Sequence, residues 1–141
     1  MKIKLLSTNA TAPTRAHATD AGLDLYAAVR TIIRPSKWAC VPTNIAISVP
    51  LGYYGQIASR SGLATKKGLV VHNGIGVIDS DYRGDVQVVL RNLSDITQVV
   101  NIGDRIAQLL ICPISLETVT VVDVLQDTVR GLNGFGSTGG N

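Results

Sequence analysis

Short apolar runs rich in Val, Ile and Thr recur along most of this chain, each cut off within a few residues by Gly, Pro, Asn or Asp. That pattern leaves little room for helix. Val and Ile together number 29 and Thr 12, whereas Glu, a good helix former, occurs once, at Glu117. Branched side chains suit a pleated surface and are stiff in a helix. The runs fall at 2–6, 23–27, 44–49, 53–58, 69–71, 75–78, 85–92, 105–112 and 118–124. The run at 44–49 alternates, with Ile45, Ile47 and Val49 on one face. At most one short helical turn fits, around 62–66, and no internal repeat or linker precedes residue 126. Many short strands between turn signals imply one all-β domain, a sandwich or barrel.

At 141 residues such a domain buries roughly 70% of the surface its unfolded form exposes, enough for a core without disulfides or a structural metal. With 45% apolar and 16% charged residues the chain is not intrinsically disordered. No apolar run approaches the ~18 residues of a membrane span, and Met1-Lys2-Ile3-Lys4 does not begin a signal peptide. The expectation is a soluble protein, cytoplasmic or otherwise intracellular, with no membrane partner. Thirteen Lys and Arg against ten Asp and Glu give a net charge of +3. The positives are scattered, Lys66-Lys67 being the only adjacent pair. A nucleic-acid groove usually shows a basic stripe with interleaved aromatics, so no nucleic-acid partner is expected. Cys40 and Cys112 lie in strand-like stretches and are expected to be buried thiols. Without a Cys-x-x-Cys, and with His17 and His72 the only histidines, a zinc site has no support.

Two places break the regularity. Between 59 and 85 polar residues crowd among the apolar runs, and in 131–141 five of eleven residues are glycine. A glycine tail costs much backbone entropy to order and packs no core. Yet it holds Phe135, the only Phe, which suits a lid that orders over something flat. In Val71-His72-Asn73-Gly74-Ile75, Asn-Gly between apolar runs signals a hairpin. It leads into Gly76-Val77-Ile78-Asp79-Ser80-Asp81-Tyr82-Arg83-Gly84-Asp85, either a solvated turn or a pocket wall carrying a general base. Ala58-Ser59-Arg60-Ser61-Gly62 reads either as an anion cradle or as a helix cap with an incidental arginine. It lacks Walker A spacing. Arg130-Gly131-Leu132-Asn133-Gly134-Phe135-Gly136-Ser137-Thr138-Gly139 is either a phosphate-binding lid or an unstructured tail. Asp20-Ala21-Gly22-Leu23-Asp24-Leu25 and Gly103-Asp104-Arg105-Ile106-Ala107-Gln108-Leu109 are weak alone, the latter carrying one inward polar residue, Gln108.

Together these five segments, in this order and spacing from about Asp20 to Gly139, resemble the signature motifs of the trimeric dUTP pyrophosphatases (dUTPases). The resemblance implies a β jelly roll of residues 1–125 and a flexible arm, 126–141, that closes over a neighbouring subunit's site in a homotrimer. It implies cleavage of dUTP to dUMP and pyrophosphate with Mg2+ as cofactor, keeping uracil out of DNA and supplying dUMP for thymidylate synthesis. Asp79 matches the carboxylate that deprotonates the attacking water. Tyr82 matches the tyrosine under the deoxyribose, Asn73 the uracil-reading residue with Gly76 beside it, and Phe135 the ring that stacks on uracil. Arg60, Ser61 and Gln108 match phosphate contacts; Arg130, Ser137 and Thr138 match those on the γ-phosphate side. Asp24 matches the acid that supports hydrated Mg2+ through water, the ion being held mainly by the triphosphate. Two departures stand out: Ser59 where proline or glycine often precedes Arg-Ser, and Asn133 where the tail usually has glycine.

The dCTP deaminases share the fold, but they carry a catalytic Glu on the strand after the acidic motif, and 79–92 contains none. A dUTP-binding regulatory module that had lost its chemistry would show a replaced base or a missing arm. Asp79 and the arm residues are both in the sequence.

Overall fold

The computed structural model describes residues 1–134, and its regular structure is almost wholly strand. In chain order these are β1 (Lys2–Leu5), β2 (Leu23–Tyr26), β3 (Thr31–Ile33), β4 (Trp38–Pro42), β5 (Ile45–Ser48) and β6 (Tyr53–Ala58). A seven-residue helix, α1 (Ser61–Lys67), precedes β7 (Leu69–Val71), β8 (Gly76–Ile78), β9 (Gln87–Asn92), β10 (Gln98–Val100) and β11 (Arg105–Pro113). The helix stops where Gly68 takes a left-handed φ of 65° and its N–H caps the carbonyl of Ala64. It is neither long nor apolar enough to cross a membrane.

All pairings are antiparallel, and no two consecutive strands pair among the described residues. One sheet runs β2-β11-β6-β8 and another β4-β9-β7, with β1-β5 and β10-β3 as two-stranded ribbons. Chain segments crossing between sheets at every step give the jelly-roll-like sandwich expected, with sheets that do not close into a barrel. The core lies between the sheets: Leu25, Val41, Ile45, Val88, Leu90 and Leu109 are wholly buried. Ile45 and Ile47 face inward as their alternation predicts. Buried Asn92 satisfies itself completely, donating to the carbonyls of Ile33 and Ile96 and accepting from the Ser94 N–H and hydroxyl.

The structure corrects four sequence expectations. The Asn73-Gly74 turn exists, with Gly74 at φ 75°, but β7 pairs with β9 and β8 with β6. The turn therefore carries the chain between two sheets and closes no hairpin. Residues 118–124 form no strand, and Val119 and Val121 are 90% and 94% exposed. Strand propensity is realised only against a partner, and this segment meets none within one chain. Cys40 faces outward and Cys112 is only half-buried, where both were expected to be buried. Finally, β3, β4 and β10 add strands where none was foreseen.

Candidate active site

Strand β11 is central to its sheet and sets Gln108 between Asp24 of β2 and Ala58 of β6. Ser59 and Arg60 follow β6 directly, so a segment near residue 24, one near 60 and one near 108 converge. A bulge at Ile106 breaks the alternation of β11, burying Ile106 and Ala107 in succession. Arg105 is thereby re-aimed to the face that carries Asp24 and Gln108. The Asp24 carboxylate then meets Arg60 Nε at 2.7 Å through Oδ1 and Arg105 Nη1 at 3.2 Å through Oδ2. Two guanidiniums on one carboxylate leave a net positive charge.

Around this triad lies a cavity of about 350 Å³ lined by Gly22, Asp24, Arg60, Ser61, Arg105 and Gln108. Gln108 is fixed in it by donating from Nε2 to the Ser59 carbonyl, 2.9 Å away. Gly22 packs against it, and a Cβ there would stand 2.6 Å from Gln108 Oε1 and displace the amide. Asp20 also borders the cavity, its carboxyl held below the ordinary range chiefly by the His17 backbone N–H. The Ser59 hydroxyl accepts the Val71 N–H at 2.8 Å, tying the end of β6 to β7. Ser59, the departure noted above, is thus a structural fastening.

A second cavity, of about 490 Å³, opens beside β8 and is lined by Asn73, Gly76, Asp79, Tyr82 and Asp85, with Cys40 in its wall. Gly76 pairs with Ile57, whose Cβ would lie 3.0 Å from any Cβ added there. The acidic loop after β8 is a tight turn: the Tyr82 N–H donates to the Asp79 carbonyl, and Arg83 Nη1 donates to the carbonyls of Ser80 and Tyr82. The Tyr82 ring folds back over Gly84, where any side chain would strike it, and its hydroxyl donates to the Asp85 carbonyl at 3.0 Å. Asp85 Oδ1 is buried without a partner, and burial pushes this carboxyl up from its ordinary value.

The sequence-nominated residues thus fall into two groups. Asp24, Arg60, Ser61 and Gln108 border the first cavity; Asn73, Gly76, Asp79 and Tyr82 border the other. Arg130 borders neither and donates instead to the Asn133 carbonyl at 3.0 Å. Phe135, Ser137 and Thr138 lie outside the described residues. Arg105, in the segment 103–109, carries no signal of a role in sequence. Only the β2–β11 register and the bulge reveal that role.

The dUTPase family model matches residues 8–139, nearly the whole chain. The chain belongs to the dUTPase family. It is 50% identical over 137 residues to the probable deoxyuridine 5'-triphosphate nucleotidohydrolase of Schizosaccharomyces pombe, covering 97% of this chain and 96% of that one. To the corresponding mouse protein it is 52% identical over 136 residues, covering 96% and 83%. The dUTPase of Staphylococcus bacteriophage 80alpha, solved with dUpNHpp, has a TM-score of 0.91 at 33% identity, covering 98% of this chain and 97% of that one. A D95N dUTPase from S. aureus phage phi11, solved to show how a structural Mg(II) ion is coordinated, has a TM-score of 0.83 at 32% identity, covering 89% and 98%. This dUTPase is therefore an enzyme, a dUTP diphosphatase.

Proposed function

We propose that one dUTP is hydrolysed across two copies of the chain: its nucleoside sits in the cavity of Asn73, Asp79 and Tyr82 on one copy, its phosphates in the cavity of Arg60 and Gln108 on another. Three copies in a closed homotrimer supply three such sites. The observation that carries this reading is that the two cavities share no lining residue. Residues 126–141 form the arm that completes each site, with Phe135 over uracil and Arg130, Ser137 and Thr138 toward the γ-phosphate. In support, no residue after Ile111 belongs to or packs against the apolar core among the described residues.

A water held by Asp79 adds to the α-phosphorus and gives its proton to the carboxylate. The bond from that phosphorus to the bridging oxygen breaks, and pyrophosphate leaves with the oxygen, yielding dUMP. A positioned base contributes about 10²–10⁴-fold to such a step. Arg60, oriented by Asp24, and Arg130 supply charge as the transition state forms. The Tyr82 ring fills the space a 2′-hydroxyl would need. Uracil and cytosine exchange acceptor for donor at position 4, so the Asn73 turn leaves cytosine with unpaired groups.

The residues present fit Mg2+ in one way. Among the described residues no three His, Cys, Asp or Glu side chains gather. Each Asp24 oxygen faces one guanidinium nitrogen, which leaves acceptor capacity for a metal-bound water. Mg2+ keeps several waters and rests largely on substrate phosphates, so one carboxylate in this position is enough. Bound there, it would neutralise charge on the departing pyrophosphate.

The test is pyrophosphate release from dUTP, UTP, dCTP and dTTP, with Mg2+ and with chelator, on wild type and on a mixture of Asp79→Asn and Arg60→Ala chains. Release from dUTP alone, dependent on Mg2+ and partly restored on mixing two inactive chains, is the expected result. Two variants that never complement would overturn the shared site.

A further inference from the structure

The strands on either side of the Asn73 turn belong to different sheets, so no hairpin ladder fixes its tip. Besides the turn's own bonds, from the Gly74 N–H to the Val71 carbonyl and from the Ile75 N–H to the Asn73 carbonyl, three contacts tie it to the rest of the chain. The Val71 N–H donates to Ser59 Oγ, the His72 N–H donates to the Val89 carbonyl, and the His72 imidazole stacks on Trp38. The two rings lie 5.7 Å apart at 13° between planes, within the range of an offset stack.

Trp38 is the only tryptophan of the chain and sits on an edge strand. Val41, Leu90 and Val71 face the core, so Trp38 and His72 stand on the opposite face of the β4-β9-β7 sheet. That is the face on which Cys40, Gln87 and Val89 border the nucleoside cavity. At 57% exposure Trp38 adds little to the core. Among the described residues its one aromatic partner is the residue adjoining Asn73.

We infer that Trp38 is a positioning residue for base recognition: stacked on His72, it fixes the turn and hence the direction from which Asn73 meets the base. This rests on the reading of Asn73 as the uracil-reading residue. Hydrogen bonds weaken steeply with misalignment, so a loosened turn loses discrimination first. Turnover is spared because Asp79 is set by its own turn to Tyr82.

The test measures kcat and KM for dUTP, and the inhibition constant of dCTP, in full-length wild type, Trp38→Ala, Trp38→Phe, His72→Ala, the Trp38→Ala/His72→Ala double variant and Asn73→Ala. Trp38→Ala should raise KM by about 2- to 10-fold, the loss of one aromatic pair, and narrow the gap between dUTP and dCTP with kcat little changed. Trp38→Phe should restore both. His72→Ala should match Trp38→Ala, with no further loss in the double variant. Addition of dUMP to wild type should also shift the single tryptophan's emission. Unchanged KM and discrimination in Trp38→Ala, failure of Phe to rescue, or emission blind to dUMP would each overturn the inference. If Asn73→Ala keeps full discrimination, the base-reading assignment falls and takes this inference with it. If Asn73→Ala loses discrimination while Trp38→Ala keeps it, only the role of Trp38 falls.

Discussion

Asp24 of β2 holds Arg60, just past the end of β6, at 2.7 Å across β11, the strand that lies between β2 and β6 and pairs with both. The carboxylate is only 13% exposed, and its second oxygen takes Arg105 at 3.2 Å. The guanidiniums are thereby held in place by the folded chain itself, which is the preorganisation that electrostatic catalysis requires. Arg60→Ala removes one of these groups and leaves Asp24 a partner short. Losing a charged partner of this kind costs ~2–5 kcal/mol, so kcat/KM for dUTP should fall by at least about 30-fold. Arg60→Lys keeps the charge without the planar fork and should recover only part. Steady-state kinetics of both variants decide this, and equal activity in Lys and Ala would mean the fork geometry is irrelevant.

Asp79 directly follows β8 and is exposed at the mouth of the nucleoside cavity. Asp79→Asn should lower kcat by about 10²–10⁴-fold and leave KM for dUTP nearly unchanged. A rise in KM with kcat intact would make the residue a binding group and move the base elsewhere.

Tyr82 depends on the absence of a side chain at Gly84. A methyl group there would strike the ring and its hydroxyl, so Gly84→Ala should push the ring out and reproduce Tyr82→Ala. Both variants should accept UTP better relative to dUTP, measured as the ratio of kcat/KM values. If Gly84→Ala rejects UTP as well as wild type does, the position of the ring is not what excludes the 2′-hydroxyl.

Much of this architecture was legible in local pattern. The strands Tyr53–Ala58 and Leu69–Val71 fall where apolar runs and turn residues place them, as does the core face of Ile45 and Ile47. What local pattern could not show depends on partners far along the chain. β3 and β10 are three residues each and are strands only because they pair with one another. β4 ends in Pro42, which an edge strand tolerates and which reads as a break in sequence. The strong Asn-Gly signal at 73–74 yielded to long-range pairing that sends β7 and β8 to different sheets. In the site, motif order nominated Asp24, Arg60 and Gln108. Arg105 enters through a bulge 81 residues from Asp24, and no periodicity reveals that.

Asp85 should make stability depend on pH. Burial raises its carboxyl in the folded chain, so the folded state binds this proton more tightly than the unfolded one. Below the ordinary carboxylate value of about 3.9 both states are protonated and the group costs nothing. As pH rises through that value and then the raised folded one, ionised Asp85 becomes a penalty on folding. Asn carries no such titration. The stability of Asp85→Asn relative to wild type, from urea unfolding, should therefore increase between about pH 3 and about pH 7. A difference that is flat or falls with pH would show that the hydrogen bonds from Gln87, Asn44 and Ile45 outweigh desolvation.

Removal of residues 130–141 separates fold from chemistry. Among the described residues the last strand ends at Pro113, and Val129 and Leu132 are fully exposed, so nothing described in the removed segment covers the core. The truncated chain should melt within a few degrees of wild type, since changes away from packed features typically cost under ~0.5 kcal/mol. On the proposed reading of Arg130, Ser137 and Thr138 as phosphate contacts, it should still bind dUMP through Asn73 and Tyr82 while losing most dUTP turnover. Thermal unfolding, dUMP binding and pyrophosphate release, measured on the same preparation, distinguish the cases. Full turnover in the truncated chain would confine the chemistry to the two cavities of the β domain. A large drop in melting temperature would give the segment a structural role instead.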